Sequence, residues 1–288
     1  MRGFSKKLSI VIVTYNSASD VEECLCSIGR ETRGIDYEIW VVDNASRDGT
    51  LECVRRVPAD VHVIANDHNW GFSKACNQAI AKAAGDFILL LNPDTIVLDD
   101  AIGKLVRRME EDASVGMAGG LVLNSDGSPQ LACRRGMPTP AAMLCRAVGL
   151  DRLFPRNPTI AQYNMRWLPW EEEAEVASIS GSFQMVRRTV VDQIGLLDEA
   201  IFMYFEDIDW CLRTTKAGWR VVYFPDSRII HHKGRSTRKN LANARREFYR
   251  SYLHLYEKYF ASEASMIAKL LIRLIVCIHR VMAIWFMR

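Results

Sequence analysis

The sequence predicts an α/β protein with a mostly parallel sheet, helices on both faces and amphipathic helices at its C-terminal end. Three observations carry this. Short apolar runs at Leu8–Val13, Tyr37–Val42, Val61–Ile64 and Phe87–Leu91 alternate with helix-patterned segments, which is the signature of strand–helix–strand units. The run Phe87–Leu91 consists of five consecutive large apolar residues, as expected of a strand buried on both faces. Each of the four runs is followed by a polar cluster, so the clusters should share the carboxyl edge of one sheet, where open α/β sheets bind ligands.

Leu8–Val13 is β-branched and ends in the turn Thr14-Tyr15-Asn16; Asp20 is placed to cap a helix over about Val21–Gly29. Tyr37–Val42 gives way to Asp43-Asn44-Ala45-Ser46-Arg47-Asp48-Gly49-Thr50, turn chemistry that leads into a helix over Leu51–Val57. Val61–Ile64 precedes a loop over Asn66–Gly71 and an alanine-rich helix through Ala84. Phe87–Leu91 stops at Asn92-Pro93-Asp94, because proline cannot continue a central strand. A helix over Asp99–Asp112 and a strand over Gly119–Leu123 come next. Residues 129–172 carry prolines at 129, 138, 140, 155, 158 and 169 and read as a mobile insert beside the site. Strand pattern returns over Val176–Arg187, interrupted by Ser180-Gly181-Ser182, and a short helix covers Thr189–Ile194. Glu206 and Asp207 open a helix, where the dipole favours ionised acids. Trp219–Phe224 is a strand halted by Pro225-Asp226, and His231 and His232 follow.

Residues 241–260 read as an amphipathic helix, and 264–288 are apolar but for Lys269, Arg273, His279, Arg280 and Arg288. On a helical wheel Lys269, Arg273 and Arg280 fall within about 40° of one another. A basic stripe on an apolar helix marks an interfacial anchor rather than a span, whose centre would not tolerate those charges. A second copy of this chain is the other partner such a tail would suit.

The chain has 288 residues, 49% hydrophobic and 25% charged, enough for a sizeable core. A net charge of +3 gives no reason to expect nucleic acid. The apolar run at Leu8–Val13 is too short for a signal peptide, and none of the eight cysteines forms a Cys-x-x-Cys pair. Buried, reduced thiols in a cytoplasmic protein, peripheral on the inner face of the membrane, are the expectation.

The polar clusters suit a nucleotide-linked donor. Thr14 to Asn16 and Asp43 supply polar groups and a carboxylate for a nucleoside. Asn92 and Asp94 could hold a hard cation, Mg²⁺ or Mn²⁺, on a diphosphate, with a histidine completing its shell. Asp207 could serve as general base across the cleft. Beside each of these stands a plainer reading: Asp43 as a helix cap, Asn92-Pro93-Asp94 as a strand-ending turn, Glu206, Asp207 and Asp209 as a solvated helix start with Asp209 structural, and Trp70 and Phe72 as packing.

Thr14-Tyr15-Asn16, Asp43 to Thr50, Asn69-Trp70-Gly71-Phe72, Leu89 to Asp94, Met203 to Asp209 and His231 with Ser236 together resemble a family 2 glycosyltransferase of the GT-A (Rossmann-like) fold, in its bacterial rhamnosyltransferase-like branch. The resemblance implies nucleotide-sugar contacts from Thr14, Tyr15, Asn16, Asp43, Asn69, Gly71 and Asn92, metal ligation by Asp94 and by His231 or His232, and a catalytic role for Asp207 with Glu206 helping to hold the acceptor. It implies a dTDP- or UDP-linked donor, dTDP-rhamnose first, and a lipid-linked glycan acceptor in cell-surface polysaccharide synthesis. The domain reading is 1–240 catalytic (1–123 nucleotide-binding half, 124–240 acceptor half) and 241–288 membrane-associating. Two other classes fit less well. A sugar-phosphate nucleotidyltransferase would want a basic, glycine-rich loop after the first strand, which Thr14 to Ser19 lacks; a non-catalytic sugar-nucleotide-binding protein would not need Asp94, Asp207 and His231 together.

Overall fold

A computed structural model describes residues 7–232, 241–262 and 266. Strands β1 (Leu8–Thr14), β2 (Tyr37–Asp43), β3 (Val61–Ala65) and β4 (Phe87–Leu91) lie in the order β3-β2-β1-β4, all parallel. The register sets Thr14 opposite Asp43, and Asp43 opposite Ala65, so the first polar turns do share one edge. All five residues of β4 are buried, as the unbroken apolar run requires. Helices α1 (Val21–Glu31), α2 (Thr50–Arg56) and α3 (Phe72–Ile80) make the crossovers. Asp20 does not cap α1 through its side chain; its carboxylate takes the Ser19 hydroxyl at 2.5 Å. The third helix ends at Ile80, short of the expected Ala84.

Beyond β4 the chain departs from simple alternation. A strand that the sequence did not announce, β5 (Thr95–Leu98), follows the Asn-Pro-Asp turn. Asp99 and Asp100 then take left-handed backbone angles before α4 (Ala101–Glu111). Next come β6 (Val115–Leu123), β7 (Arg134–Arg135), α5 (Pro140–Ala147), α6 (Leu150–Leu153), β8 (Ala174–Glu175), β9 (Ser178–Ile179), β10 (Phe183–Arg187) and α7 (Arg188–Ile194). The chain closes with α8 (Glu206–Lys216), β11 (Arg220–His231) and α9 (Leu241–Tyr259).

The sheet continues β4-β10-β6-β11-β5, with β8 on β11. Strands β1 to β4, β6 and β11 point one way, and β5, β8 and β10 oppose them. Pro225 does not halt β11: a bulge between Phe224 and Arg228 takes up the irregularity and the strand runs on to His231.

Residues 129–172 are tied in rather than mobile at their ends. The two-residue strand β7 pairs with β9. Fully buried Arg134 lies 4.3 Å from the Trp170 ring centroid and 4.8 Å from that of Tyr223, and it donates to the Leu168 and Pro169 carbonyls. Stacked and doubly bonded, this guanidinium fastens the segment to the sheet. The C-terminal helix α9 docks beside α8: Phe205, Ile208, Leu212 and Leu255 form a buried cluster. Lys258 bridges Asp198 and Asp209, each at 2.7 Å, and the Tyr259 hydroxyl donates to Asp209 at 2.7 Å. Fully buried Asp209, also bonded to Arg213 at 2.9 Å, is thus a structural acid. Seven described cysteines are free thiols, five of them buried. Among the described residues no helix is long and apolar enough to cross a membrane. The basic tail, Ser236 and the loop cations Lys233, Arg235, Arg238 and Lys239 lie outside the described residues.

The middle of the sheet depends on Gly120, where a β-carbon would sit 2.2 Å from the Ser227 carbonyl oxygen and 2.8 Å from the Phe183 ring. Gly120→Ala is expected to destabilise the fold by roughly 1–3 kcal/mol or more through forced backbone displacement. A thermal melt checks it; an unchanged melting temperature contradicts the close approach of β6 and β11.

Candidate active site

The donor edge begins where β1 and β2 end side by side. The Thr14 hydroxyl donates to Asp43 Oδ1 at 2.8 Å, and Ser46 adds its hydroxyl to Oδ1 at 2.5 Å and its N–H to Oδ2 at 2.9 Å. Asn16, with φ 53°, donates its N–H to Ser46 Oγ at 2.8 Å and accepts the Arg47 N–H at 2.9 Å. The two loops are therefore latched together. Thr14 and Asp43 are buried at the base of the latch, while Tyr15 is 46% exposed above it.

Asn69 and Gly71 play a different part. Asn69 Oδ1 accepts the Gly71 N–H at 2.9 Å, and Asn44 Nδ2 donates to the Gly71 carbonyl at 3.1 Å. Gly71 has φ +85°, and a β-carbon there would lie 2.5 Å from the Phe202 carbonyl oxygen, which accepts the Phe72 N–H at 2.7 Å. The loop after β3 is thereby pressed against the segment that leads to Glu206 and Asp207. Phe72 packs on the core as expected. Trp70 does not: it is 37% exposed, with Lys74 Nζ 3.5 Å from its ring centroid.

At the end of β4 the polar turn meets the end of β11. His231 Nε2 lies 3.1 Å from Asp94 Oδ1 and 3.2 Å from Asn92 Nδ2. Its Nδ1 lies 3.2 Å from Gln130 Oε1, while Gln130 Nε2 donates to the His231 carbonyl at 2.8 Å. Because the Gln130 amide spends its N–H on that carbonyl, its oxygen faces Nδ1. Nε2 is therefore the ring nitrogen turned toward Asp94 and Asn92. Of the two histidines, His231 joins Asp94; the His232 ring lies 2.7 Å from Ser125 Oγ through Nδ1.

Among the described residues no cluster of three His, Cys, Asp or Glu side chains could hold a metal. The set of Asp94 carboxylate, His231 Nε2 and Asn92 amide nonetheless fits a hard divalent cation that draws its remaining oxygens from a diphosphate and water.

The acceptor edge is built at the start of α8. Tyr204 and Phe205 both have positive φ, 71° and 68°, immediately before Glu206. Two consecutive left-handed non-glycine residues are strained backbone, held here by the Phe205 cluster. Asp207 Oδ2 accepts from Arg135 Nη2 at 2.9 Å and from the Gly181 N–H at 3.0 Å. Oδ1 takes the Ile208 N–H at 2.8 Å and keeps acceptor capacity. Burial works against the charge on Arg135, but the Asp207 carboxylate outweighs it, so the guanidinium is held above its ordinary value.

Glu206 does not follow the helix-dipole expectation. Burial, and then the neighbouring Asp207 charge, raise its pKa to about 8. Its Oε2 is a buried oxygen without a hydrogen-bond partner. An uncompensated buried carboxylate costs more than one helix terminus returns.

The two edges meet at Ser180-Gly181-Ser182. The Asn92 N–H donates to the Ser182 carbonyl at 3.1 Å, and Gly181 binds Asp207. Asn92, two residues before Asp94, and Asp207 thus meet the same three-residue turn; Asp94 and Asp207 are each 7% exposed. Sequence reasoning missed Gln130, Arg135, Ser46 and Gly181. Only the doublet Arg134-Arg135, set between Cys133 and Gly136, carried a signal: paired cations in an otherwise weakly charged stretch.

Comparison with known proteins bears on the family and the fold. Residues 9–195 match the model described as Glycosyl transferase family 2, and residues 163–287 match glycosyl transferase family group 2. Over 248 residues, 82% of this chain and 79% of the relative, the sequence is 34% identical to the N-acetylglucosaminyl-diphospho-decaprenol L-rhamnosyltransferase of Mycobacterium tuberculosis. The fold is similar to that of a mannosyltransferase from Pyrobaculum calidifontis solved with GDP-Man and Mn²⁺ (TM-score 0.63, 16% identity, 98% of this chain and 72% of that one). It is also similar to GalNAc-T7 solved with UDP, GalNAc and Mn²⁺ (TM-score 0.58, 19% identity, 80% of this chain), a longer protein of which it spans 44%.

The Glu206 value near 8 lies above the 4.5 of an unperturbed carboxyl. Folding therefore retains a proton that the unfolded chain releases, so stability is full below pH 4.5 and is lost as pH rises through 8. Glu206→Gln removes that loss. Its melting temperature should exceed the parent's by more at about pH 8.5 than at about pH 5; an equal difference at both pH values contradicts the buried, unpartnered acid.

Proposed function

The chain belongs to glycosyl transferase family 2, and on that premise we propose that it moves a sugar, with inversion, from a nucleotide-sugar donor to a hydroxyl of a lipid-linked glycan. The donor we favour is dTDP-rhamnose, and the acceptor a polyprenyl-diphosphate sugar used in cell-surface polysaccharide synthesis. Likeness to a relative named for L-rhamnosyl transfer to a diphospho-decaprenol glycan supports both choices. The observations that support the reading are the pairing of Asp94 with His231 and the turn at 180–182, which bonds Asn92 on one side and Asp207 on the other.

In this reading Thr14, Tyr15, Asn16 and Asp43 receive the nucleoside, with Asp43 directed at the base, while Asn69 and Gly71 hold the nucleotide loop. Asn92, Asp94 and His231 face the diphosphate. A divalent cation, Mg²⁺ or Mn²⁺, held by Asp94 and His231 would neutralise charge growing on the leaving diphosphate. The acceptor hydroxyl oxygen forms the new bond to the anomeric carbon as the bond to the diphosphate oxygen breaks. Asp207 Oδ1, which has acceptor capacity to spare, takes the hydroxyl proton. Arg135 and the Gly181 N–H fix the carboxylate from the other oxygen, so the base cannot rotate away. Glu206, protonated near neutral pH, can donate a hydrogen bond to the acceptor. Residues 1–123 form the nucleotide half, 124–240 the acceptor half and 241–288 the membrane-associating end, at the inner face of the membrane.

Asp207→Asn is expected to lower transfer by on the order of 10²–10⁴-fold. The rise in melting temperature caused by the matched nucleotide sugar should persist in that variant. Asp94→Asn should remove the Mn²⁺-dependent part of that rise. Transfer at the parent rate in Asp207→Asn would rule it out as the base, and a metal-dependent rise unchanged in Asp94→Asn would rule out the ligand.

A further inference from the structure

The segment that carries Arg135 toward Asp207 has an outer surface that the reaction does not use. Thr139 caps α5, accepting the Ala142 N–H at 3.2 Å, and Pro140 stands in its first turn. The inner side is fixed to the domain: Ala142 is buried, and Met143 packs on the Phe205–Ile208–Leu212–Leu255 cluster beside α8. The outer side is apolar and open. Leu144 is 55% exposed, Val148 61%, Leu153 71% and Phe154 52%. Leu144 and Val148 are four residues apart and share one helical face. Aliphatic and aromatic side chains gathered at this exposure mark a docking surface.

Charge says what docks there. Between Asp126 and Glu171 the sequence has one acid, Asp151, and six arginines. Asp151 is turned inward, 2% exposed, bonded to Asn164 at 2.7 Å and Arg166 at 3.0 Å. Arg134 and Arg135 are buried too. Arg146, Arg152 and Arg156 remain exposed beside the apolar side chains, and the one acid of the segment, Asp151, is buried. Arg146 lies along the Tyr163 ring, 4.9 Å from its centroid, which holds it at this surface. Cations alone around an apolar face complement an anionic interface with a hydrocarbon interior.

We propose that the outer face of α5 and α6 is a docking surface for an anionic phospholipid bilayer: Leu144, Val148, Leu153 and Phe154 enter the interface, and Arg146, Arg152 and Arg156 meet headgroup phosphates. The residues of this surface are not those of the basic tail at 264–288. The surface extends the reading of a lipid-linked acceptor, because Met143 of α5 packs on the cluster that α8 and α9 share, and α8 begins with Glu206 and Asp207. An acceptor whose lipid stays in the bilayer would then offer its hydroxyl to Asp207 without leaving the membrane.

The test is co-sedimentation of the full chain with vesicles of phosphatidylcholine, with and without phosphatidylglycerol, in the absence of donor and acceptor. Binding should require phosphatidylglycerol. L153S/F154S should weaken it by roughly tenfold or more, and R152E/R156E should remove its dependence on the anionic lipid. The tail variant K269E/R273E/R280E should keep a phosphatidylglycerol-dependent component that L153S/F154S lacks. Melting temperature and transfer to a water-soluble acceptor should match the parent in all three variants, which shows that they fold.

Parent-like vesicle binding by L153S/F154S and R152E/R156E overturns the proposal. So does loss of all binding in the tail variant alone. A parent dimer in solution that dissociates in L153S/F154S overturns it as well, since the face would then be a contact between copies. Absence of transfer in every protein would count against the catalytic reading and leave the vesicle result standing.

Discussion

The site depends on one strand pairing, the antiparallel insertion of β10 against β4. Phe183 lies opposite Leu91, so the residue before Phe183 falls beside the residue after Leu91. That is why Asn92 bonds Ser182 and why the preceding glycine reaches Asp207. Without this pairing the first four strands would still share one polar edge, but nothing would bring Asp207 to it. The Gly71–Phe202 approach is a second tie between the same two regions, made from the loop after β3. The loop after β3, the Asn92-Pro93-Asp94 turn and the start of α8 are thus linked by bonds in which at least one partner is main chain.

Arg135 and Asp207 form a buried ion pair, each about 10% exposed in its side chain. Such pairs add little net stability, because desolvation consumes most of the attraction, yet removing one partner leaves a costly unpaired charge. What this pair supplies is position: the arginine and a backbone N–H both hold Oδ2, which turns Oδ1 toward whatever enters the cleft. Glu206, the residue before it, feels the same burial with no cation bonded to it, and its pKa is raised to about 8. Two adjacent acids at one helix start therefore have different surroundings, one held by an arginine and the other kept from ionising by burial.

Much of this was legible in the sequence, for a physical reason. Parallel strands buried on both faces leave unbroken apolar runs, and their ends must turn in polar residues; β4 and its Asn-Pro-Asp ending showed both. The parallel run of the first four strands and the grouping of Thr14 with Asp43 followed; their spatial order did not. The second half was harder to read. β5 is four residues long and β7, β8 and β9 two each, too short for periodicity to register. Pro225 looked like a strand end, but a bulge absorbs it. The prolines of 129–172 suggested mobility, whereas stacking of Arg134 between two rings, a long-range contact, holds that stretch. Gln130 and Arg135 earn their roles only from partners about a hundred and seventy-two residues away, respectively, and no local pattern announces those.

The central claim is that Asp94 and Asp207 face one another across a single crevice that holds the donor diphosphate. The most direct measurement is a crystal structure of the protein with a nucleoside diphosphate and Mn²⁺, read by the anomalous signal of manganese. The account predicts one manganese peak bonded to Asp94 and His231 and to diphosphate oxygens, with Asp207 facing the β-phosphate across the turn at 180–182. A diphosphate or manganese bound at another surface, or Asp207 turned away from the nucleotide, would contradict it.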